Sequence, residues 1–157
     1  MPRKLSAGIL LYRRRAELLE VFLVHPGGPF WLRMDDGAWS VPKGEYREGE
    51  DPLQAARREF REETGFPAEG PVIALPEVVQ PSGKRVSVWA LEGDLDPDQL
   101  RSNLFELEWP PHSGQRQEFP EVDRGAWFSL TAARHKLLPA QVALLDALAR
   151  VLAALRP

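Results

Sequence analysis

The sequence predicts an α+β chain, a layered α/β/α arrangement on a mixed β-sheet. Three observations lead there. Strand-like runs rich in β-branched and aromatic residues dominate the chain, only two segments carry a helical period, and those two lie far apart. A length of 157 residues suits one domain, expected over residues 1–157, and buries roughly 68–70% of the unfolded surface without staples. Apolar and charged fractions of 43% and 27% are ordinary globular values.

Taken in order, "KLSAGILLYR" and "LEVFLVH" read as strands joined by the polar link "RRRAEL". "PGGPF" is a loop by its glycine and proline content, and "GAWSVPKGEYREGE" a second loop region, with a short strand expected at Trp39–Val41 before Pro42. A helix follows over 52–64. Asp51 is its N-cap, Pro52 occupies the first position, and Gln54 stands three after the cap to close a capping box. Gly65 supplies the left-handed residue that ends it. "PVIALPEVVQ" and "KRVSVWALEG" are strands around the turn "PSG", and Pro76 marks a bulge or an edge in the first. "LDPDQLRS" is loop-like, "NLFELEW" a strand, and "PPHSGQRQEFPEVDR" a long polar loop of the kind usually retained for function. "GAWFSL" is the last strand. Val142, Leu145, Leu148, Val151 or Leu152, and Leu155 then repeat at helical spacing, a second amphipathic helix packing on the core.

Composition removes several classes of function. There is no cysteine, so disulfides, thiolate nucleophiles and cysteine-rich zinc sites are excluded, and His25, His112 and His135 show no ligand spacing. A net charge of −3 argues against nucleic acid or an anionic membrane as partner. Arg13-Arg14-Arg15 reads as a solvated strand end. No apolar run reaches a membrane-spanning length, and "MPRKLSAGILLYRRR" lacks a signal-type core, so a cytoplasmic protein is expected.

The stretch "REFREETGF" carries the chemistry. Each helical residue turns about 100°, so Glu59, Glu62 and Glu63 share one face. Leu53, Ala56 and Phe60 form a neighbouring apolar stripe, and Ala55, one turn before Glu59, is expected to leave the acidic face open. Arg58 stands four before Glu62, a pairing worth ~0.2–0.5 kcal/mol. Glu59 facing both Glu62 and Glu63 costs similar amounts, so side-chain electrostatics alone gives no reason for the cluster. A salt-bridged surface and a cation site both remain open here. Magnesium, a hard cation, takes such carboxylates together with waters and substrate phosphates.

The surroundings narrow the choice. From Gly44 the sequence runs "GEYREGEDPLQAARREFREETGF", with Gly44, Glu50, Arg58-Glu59, Phe60, Arg61, Glu62-Glu63, Thr64, Gly65 and Phe66 at fixed gaps. This resembles the signature of the Nudix hydrolases, the MutT-like pyrophosphohydrolases, at every defined position. The resemblance implies an α/β/α sandwich whose signature forms a loop–helix–loop. It implies hydrolysis of a pyrophosphate linkage in a nucleoside diphosphate derivative, by water attack on phosphorus, with Mg²⁺ or Mn²⁺. By position it implies Glu59, Glu62 and Glu63 as metal ligands, one of them or a later carboxylate as base, and Glu50 as support for the metal site. Gly44 is implied to offer its carbonyl to a metal, and Arg58 to orient a catalytic glutamate. Family members often place a further acidic residue before the last strand, which makes Glu118 the candidate ligand or base and Glu121 the runner-up.

The expected partner is a small nucleotide. "WSVPKGEYREGE" resembles the approach to the signature in enzymes acting on dinucleoside polyphosphates or nucleoside triphosphates, with Trp39 in the core and Lys43 reaching a phosphate. Arg116 is a second candidate for phosphate contact. Pro81 matches the spacing of a proline marker in ADP-ribose hydrolases, but "QPSGKR" is equally a hairpin turn, and an ADP-ribose or ADP-sugar substrate stays an alternative. A non-catalytic nucleotide-binding Nudix module is the other, although no signature glutamate is missing. Phe30, Trp31 and Trp109 are candidates for stacking on a base, and "HPGGPFW" for a flexible rim. Many Nudix proteins form homodimers, but no stretch marks an interface.

Overall fold

A computed structural model describes residues 4–155; residues 1–3 and 156–157, counted in the domain expected over 1–157, lie outside the described residues. Strand β1 (Leu5–Arg15) runs through the middle of a seven-stranded sheet. Along one side it pairs in parallel with β6 (Arg85–Glu92). Its other side is shared. Leu5–Gly8 pairs antiparallel with β3 (Lys43–Tyr46), and Tyr12–Arg15 with β2 (Leu18–Pro26). Outside β6 lie β4 (Val72–Ala74) and β5 (Val78–Val79); outside β2 lies β9 (Val122–Ser129). The sheet is mixed, as expected.

Alternation along β1 feeds two cores. Ala7, Ile9 and Leu11 join Ala55, Ala56 and Phe60 of helix α1 (Pro52–Thr64), while Leu10 and Tyr12 join Leu144, Leu145 and Leu148 on the opposite face. Burial on both faces explains the unbroken apolar run "AGILLY" in β1. The second face is covered by α2 (Leu130–Lys136) and α3 (Ala143–Ala154), giving the α/β/α layering.

Several expectations are corrected. Among the described residues there are three α-helices rather than two: α2 is a short helix capped by Ser129, whose hydroxyl accepts from the Ala132 amide at 3.1 Å. It buries Ala133 alone, too little to show as a period. The long polar loop contains β8 (Arg116–Pro120), which pairs with β7 (Leu104–Glu108) in a separate hairpin, and β9 begins at Val122. Pro76 divides its run into two edge strands. Trp39–Val41 makes only isolated bridges, while the strand of that region is β3, inside the expected loop. "PSG" is a turn: the Gln80 amide donates to Lys84 O and Gly83 lies at φ +89°, leaving Pro81 exposed in the hairpin. Arg13 is not simply solvated. It lies over the Trp127 ring at 4.0 Å and pairs with Glu20 and Asp94.

Candidate active site

Helix α1 starts and stops where its terminal residues dictate. The Asp51 carboxylate accepts from the Gln54 amide at 3.0 Å, and Gly65 at φ +81° donates its amide to Arg61 O at 2.8 Å. Thr64, fully buried, donates to Phe60 O and accepts from the Phe66 amide, which fixes the last turn. Phe60 and Ala56 sit in the core, which turns Glu59 and Glu63 toward β3 and the start of β9, while Glu62 is exposed beside Arg58. Ala55 departs from expectation: it is fully buried beneath the sheet and lines no open face.

Two backbone positions of β3 meet these carboxylates. The Lys43 amide donates to Glu63 Oε1 at 3.2 Å. Gly44 lies so close to Glu59 that a Cβ there would stand 2.0 Å from Oε2 and 2.1 Å from Cδ. Glycine is required here for close approach, since only a bare Cα leaves room for the carboxylate. Gly8 serves likewise on the neighbouring strand β1, where a Cβ would meet Pro42 O at 2.7 Å.

Arg58 ties the acidic face together. Its guanidinium donates to Glu50, donates to Glu59 Oε1 at 3.3 Å, and stands 3.8 Å from Glu62 Oε1. Glu50 also accepts from the Arg47 amide, and these two bonds hold its carboxyl below the usual range. Burial pushes Glu63 up to about 8, opposed to some extent by the Lys43 amide and ammonium. Glu59 is raised, first by burial and then by Glu62. Burial lowers Lys43, helped by Lys84. Glu59, Glu63 and Lys43 each resist the charge they ordinarily carry because solvent is scarce around them.

Among the described residues no three carboxylates or imidazoles converge tightly enough to cage an ion. The glutamates instead lean on Arg58 and on the β3 backbone. Their chemistry still fits a hard divalent cation: the donors are all oxygen, Glu59 is raised by burial and then by Glu62, and Glu63 is raised by burial and, to a smaller extent, by Glu59, a like-charge repulsion that a cation would relieve. Magnesium keeps several waters and takes few protein ligands, so a tight cage is not needed.

The loop candidates separate. Glu118 sits on β8 opposite Glu106, exposed on a hairpin that carries it outward, and it is not among the charges acting on Glu59 or Glu63. Glu121 is. It lies where β8 gives way to β9, drawn inward because its amide donates to Asn103 O and its carbonyl accepts from the Gly27 amide, both at 2.9 Å. The Asn103 amide in turn donates to Glu62 O at 2.8 Å, which links the end of α1 to this corner. Glu121 meets solvent at its outer edge, yet loss of hydration raises its carboxyl. Arg116 is exposed on the hairpin, 3.6 Å from Glu106, and does not line the cleft.

Lys43, Glu63 and Glu121 line a cleft of about 220 Å³ whose walls include Trp31, Val41 and Leu138. Phe30 and Trp109 lie outside it, packed edge to face at 5.4 Å. In the loop 26–30, Gly27 packs closely on the hairpin and its amide donates to Glu121 O. A Cβ on Gly27 would stand 1.9 Å from Pro120 O, so that glycine serves packing against the hairpin.

The NUDIX domain family model matches residues 2–148. The chain belongs to the Nudix family. This Nudix chain is 40% identical over 73 residues to an RNA pyrophosphohydrolase of Cereibacter sphaeroides, a segment covering 44% of the chain and 43% of that relative. The chain thus spans less than half the length of the curated relative it matches. Its fold is similar to that of a C. elegans Ap4A hydrolase in a binary complex, with a TM-score of 0.66 at 24% identity, covering 96% of this chain and 98% of that one. It is also similar to the NUDIX domain of Shewanella oneidensis NrtR complexed with ADP ribose, with a TM-score of 0.68 at 16% identity over 97% and 90% of the two chains. Among the described residues no helix of this Nudix protein is long and apolar enough to cross a membrane.

One group that shapes this region gave no sequence signal. Gln141, fully buried, bonds to the backbone just ahead of Lys43. A lone glutamine beside an amphipathic helix reads as surface, and only the tertiary contact distinguishes it.

Proposed function

We propose that this Nudix protein is a metal-dependent pyrophosphohydrolase acting on a nucleoside diphosphate derivative in the cytoplasm, a dinucleoside polyphosphate or nucleoside triphosphate being the favoured class. The observation that carries the reading is that Lys43 and Glu63 line an apolar-walled cleft together with Glu121, while Gly44, the next residue of β3, seats Glu59 of the same helix. Glu59, Glu62 and Glu63 would hold Mg²⁺ or Mn²⁺. The bound metal supplies charge neutralisation at the phosphates and a more acidic water. Arg58 keeps Glu59 and Glu62 oriented, and Gly44 lets Glu59 lie against β3. Lys43, in the wall of the cleft, would meet a phosphate as a point charge. Glu121 is the favoured proton acceptor for water attacking phosphorus, since its raised carboxyl suits a base and it faces the same cleft.

A second reading, removal of pyrophosphate from an RNA 5′ end, is favoured by the name of the Cereibacter relative. The chemistry is the same; only the body of the substrate differs. The test is a panel of diadenosine tetraphosphate, nucleoside triphosphates, ADP-ribose and 5′-triphosphorylated RNA, each with Mg²⁺ or Mn²⁺ and with EDTA. Cation-dependent release of phosphate or pyrophosphate from at least one member supports the proposal. Nucleotide binding with no turnover anywhere would favour a binding module.

A further inference from the structure

We infer that Gln141 is a positioning residue for the candidate site. This rests on the site reading above. The segment 37–44 reaches the glutamates after crossing between β2 and the turn that follows α2. Backbone bonds hold it on both flanks: Ser40 exchanges two bonds with Val24, the Trp39 amide donates to Lys136 O, and the Leu138 amide donates to Trp39 O. Val41 breaks this pattern. It is fully buried, and its amide donates to a side chain, Gln141 Oε1, at 3.0 Å.

The other end of Gln141 completes a closed set. Nε2 donates to Ser40 Oγ at 3.0 Å, and Ser40 Oγ donates to Val41 O at 2.8 Å. One glutamine thus satisfies a buried amide and orients a hydroxyl, and Ser40 and Val41 both line the cleft. Beyond Val41 the chain is stiff. Pro42 has a fixed φ, its carbonyl accepts from the Ile9 amide at 3.1 Å, and bare Gly8 lets it press against β1. The next two residues are Lys43, whose amide holds Glu63, and Gly44, which seats Glu59. A shift at Val41 therefore has no slack in which to dissipate before it reaches both carboxylates.

A glutamine that only filled space would be replaceable by an apolar residue of similar volume. Positioning requires its two polar ends. Gln141→Leu removes both and keeps the bulk, while Gln141→Glu keeps an acceptor for Val41. The readouts are amide exchange of residues 40–44, Mn²⁺ affinity, and kcat and KM on whichever panel substrate is turned over, all well below each variant's melting temperature. For Gln141→Leu the expected result is about ten-fold faster exchange confined to 40–44, weaker Mn²⁺ binding and about ten-fold lower kcat, on the scale by which support shells affect metal affinity and activity. Gln141→Glu should recover some of each. Leucine tolerated with unchanged Mn²⁺ affinity and kcat, whatever its melting temperature, would overturn the assignment. If no substrate is turned over by the unaltered protein, the pyrophosphohydrolase reading fails, while exchange and Mn²⁺ affinity still decide the role of Gln141.

Discussion

Replacing Gly44 by alanine adds one methyl group where the structure has a carboxylate. The new Cβ would stand 2.0 Å from Glu59 Oε2, and ordinary contact begins at 3.4 Å, so the carboxylate must retreat by about 1.4 Å. The backbone is no obstacle, because Gly44 is not at positive φ and pairs regularly with Ala7 in the sheet. The obstacle is the end of a flexible side chain, so the stability cost should fall at the low end of overpacking, about 1 kcal/mol. The functional cost should be larger, since a misplacement of about 1 Å in a reacting constellation costs on the order of 10²-fold. Gly44→Ala is therefore expected to lower kcat/KM by about 10²-fold and weaken Mn²⁺ binding, with urea unfolding shifted by only about 1 kcal/mol. Combining it with Glu59→Ala should add little, because the methyl acts through that carboxylate. Activity within about three-fold of the parent, or additive losses in the double variant, would refute the reasoning.

The buried Glu63 carboxyl makes stability depend on pH. It titrates at about 8 in the folded chain against an ordinary 4.5, so between these values the folded state holds a proton that the unfolded state has released. Its contribution favours folding below about pH 4.5 and is lost as pH rises toward 8. At ~1.4 kcal/mol per pH unit, discounted for the solvent at its edge, this amounts to a few kcal/mol. Without divalent cation, Glu63→Gln should be more stable than the parent at pH 8 and lose that slope, read by urea unfolding at pH 5 and pH 8; parallel profiles would contradict this. Glu121→Gln should lower kcat by about 10²–10⁴-fold, the range for a lost general base, while Glu118→Gln on the exposed hairpin changes it little. Steady-state kinetics showing the reverse order would return the role to Glu118. Arg58→Lys keeps the charge but cannot bridge Glu50, Glu59 and Glu62 at once. A fall in kcat and in Mn²⁺ affinity is expected, and full retention of both would show that charge alone suffices.

Much of this was legible from local rules. Asp51, Pro52 and Gly65 define α1 by capping chemistry that acts within a few residues, and the structure places its bounds where they predict. The glutamate face follows from helical geometry alone. Elements missed were those whose signal is not local. β8 is a polar strand whose partner is β7, and α2 buries a single residue, so neither carries a hydrophobic period. Ala55 is buried rather than open, and a small residue beside charged ones gives no sign of which way its Cβ faces.

The sequence by itself determined the reaction class to propose and the helix on which its carboxylates sit, because spacing on a helix is set by bonds between near neighbours. The tertiary structure decided which side chains lie near the helix carboxylates. Glu121 rather than Glu118 reaches the cluster because pairing with Asn103 and Gly27 draws it inward. Gly44 must be bare because Glu59 packs on it, and Gln141 meets the Val41 amide because the turn before α3 and the segment before β3 are brought together. Each of these depends on contacts between segments distant in the chain, and such contacts exist only once the sheet has brought those segments together.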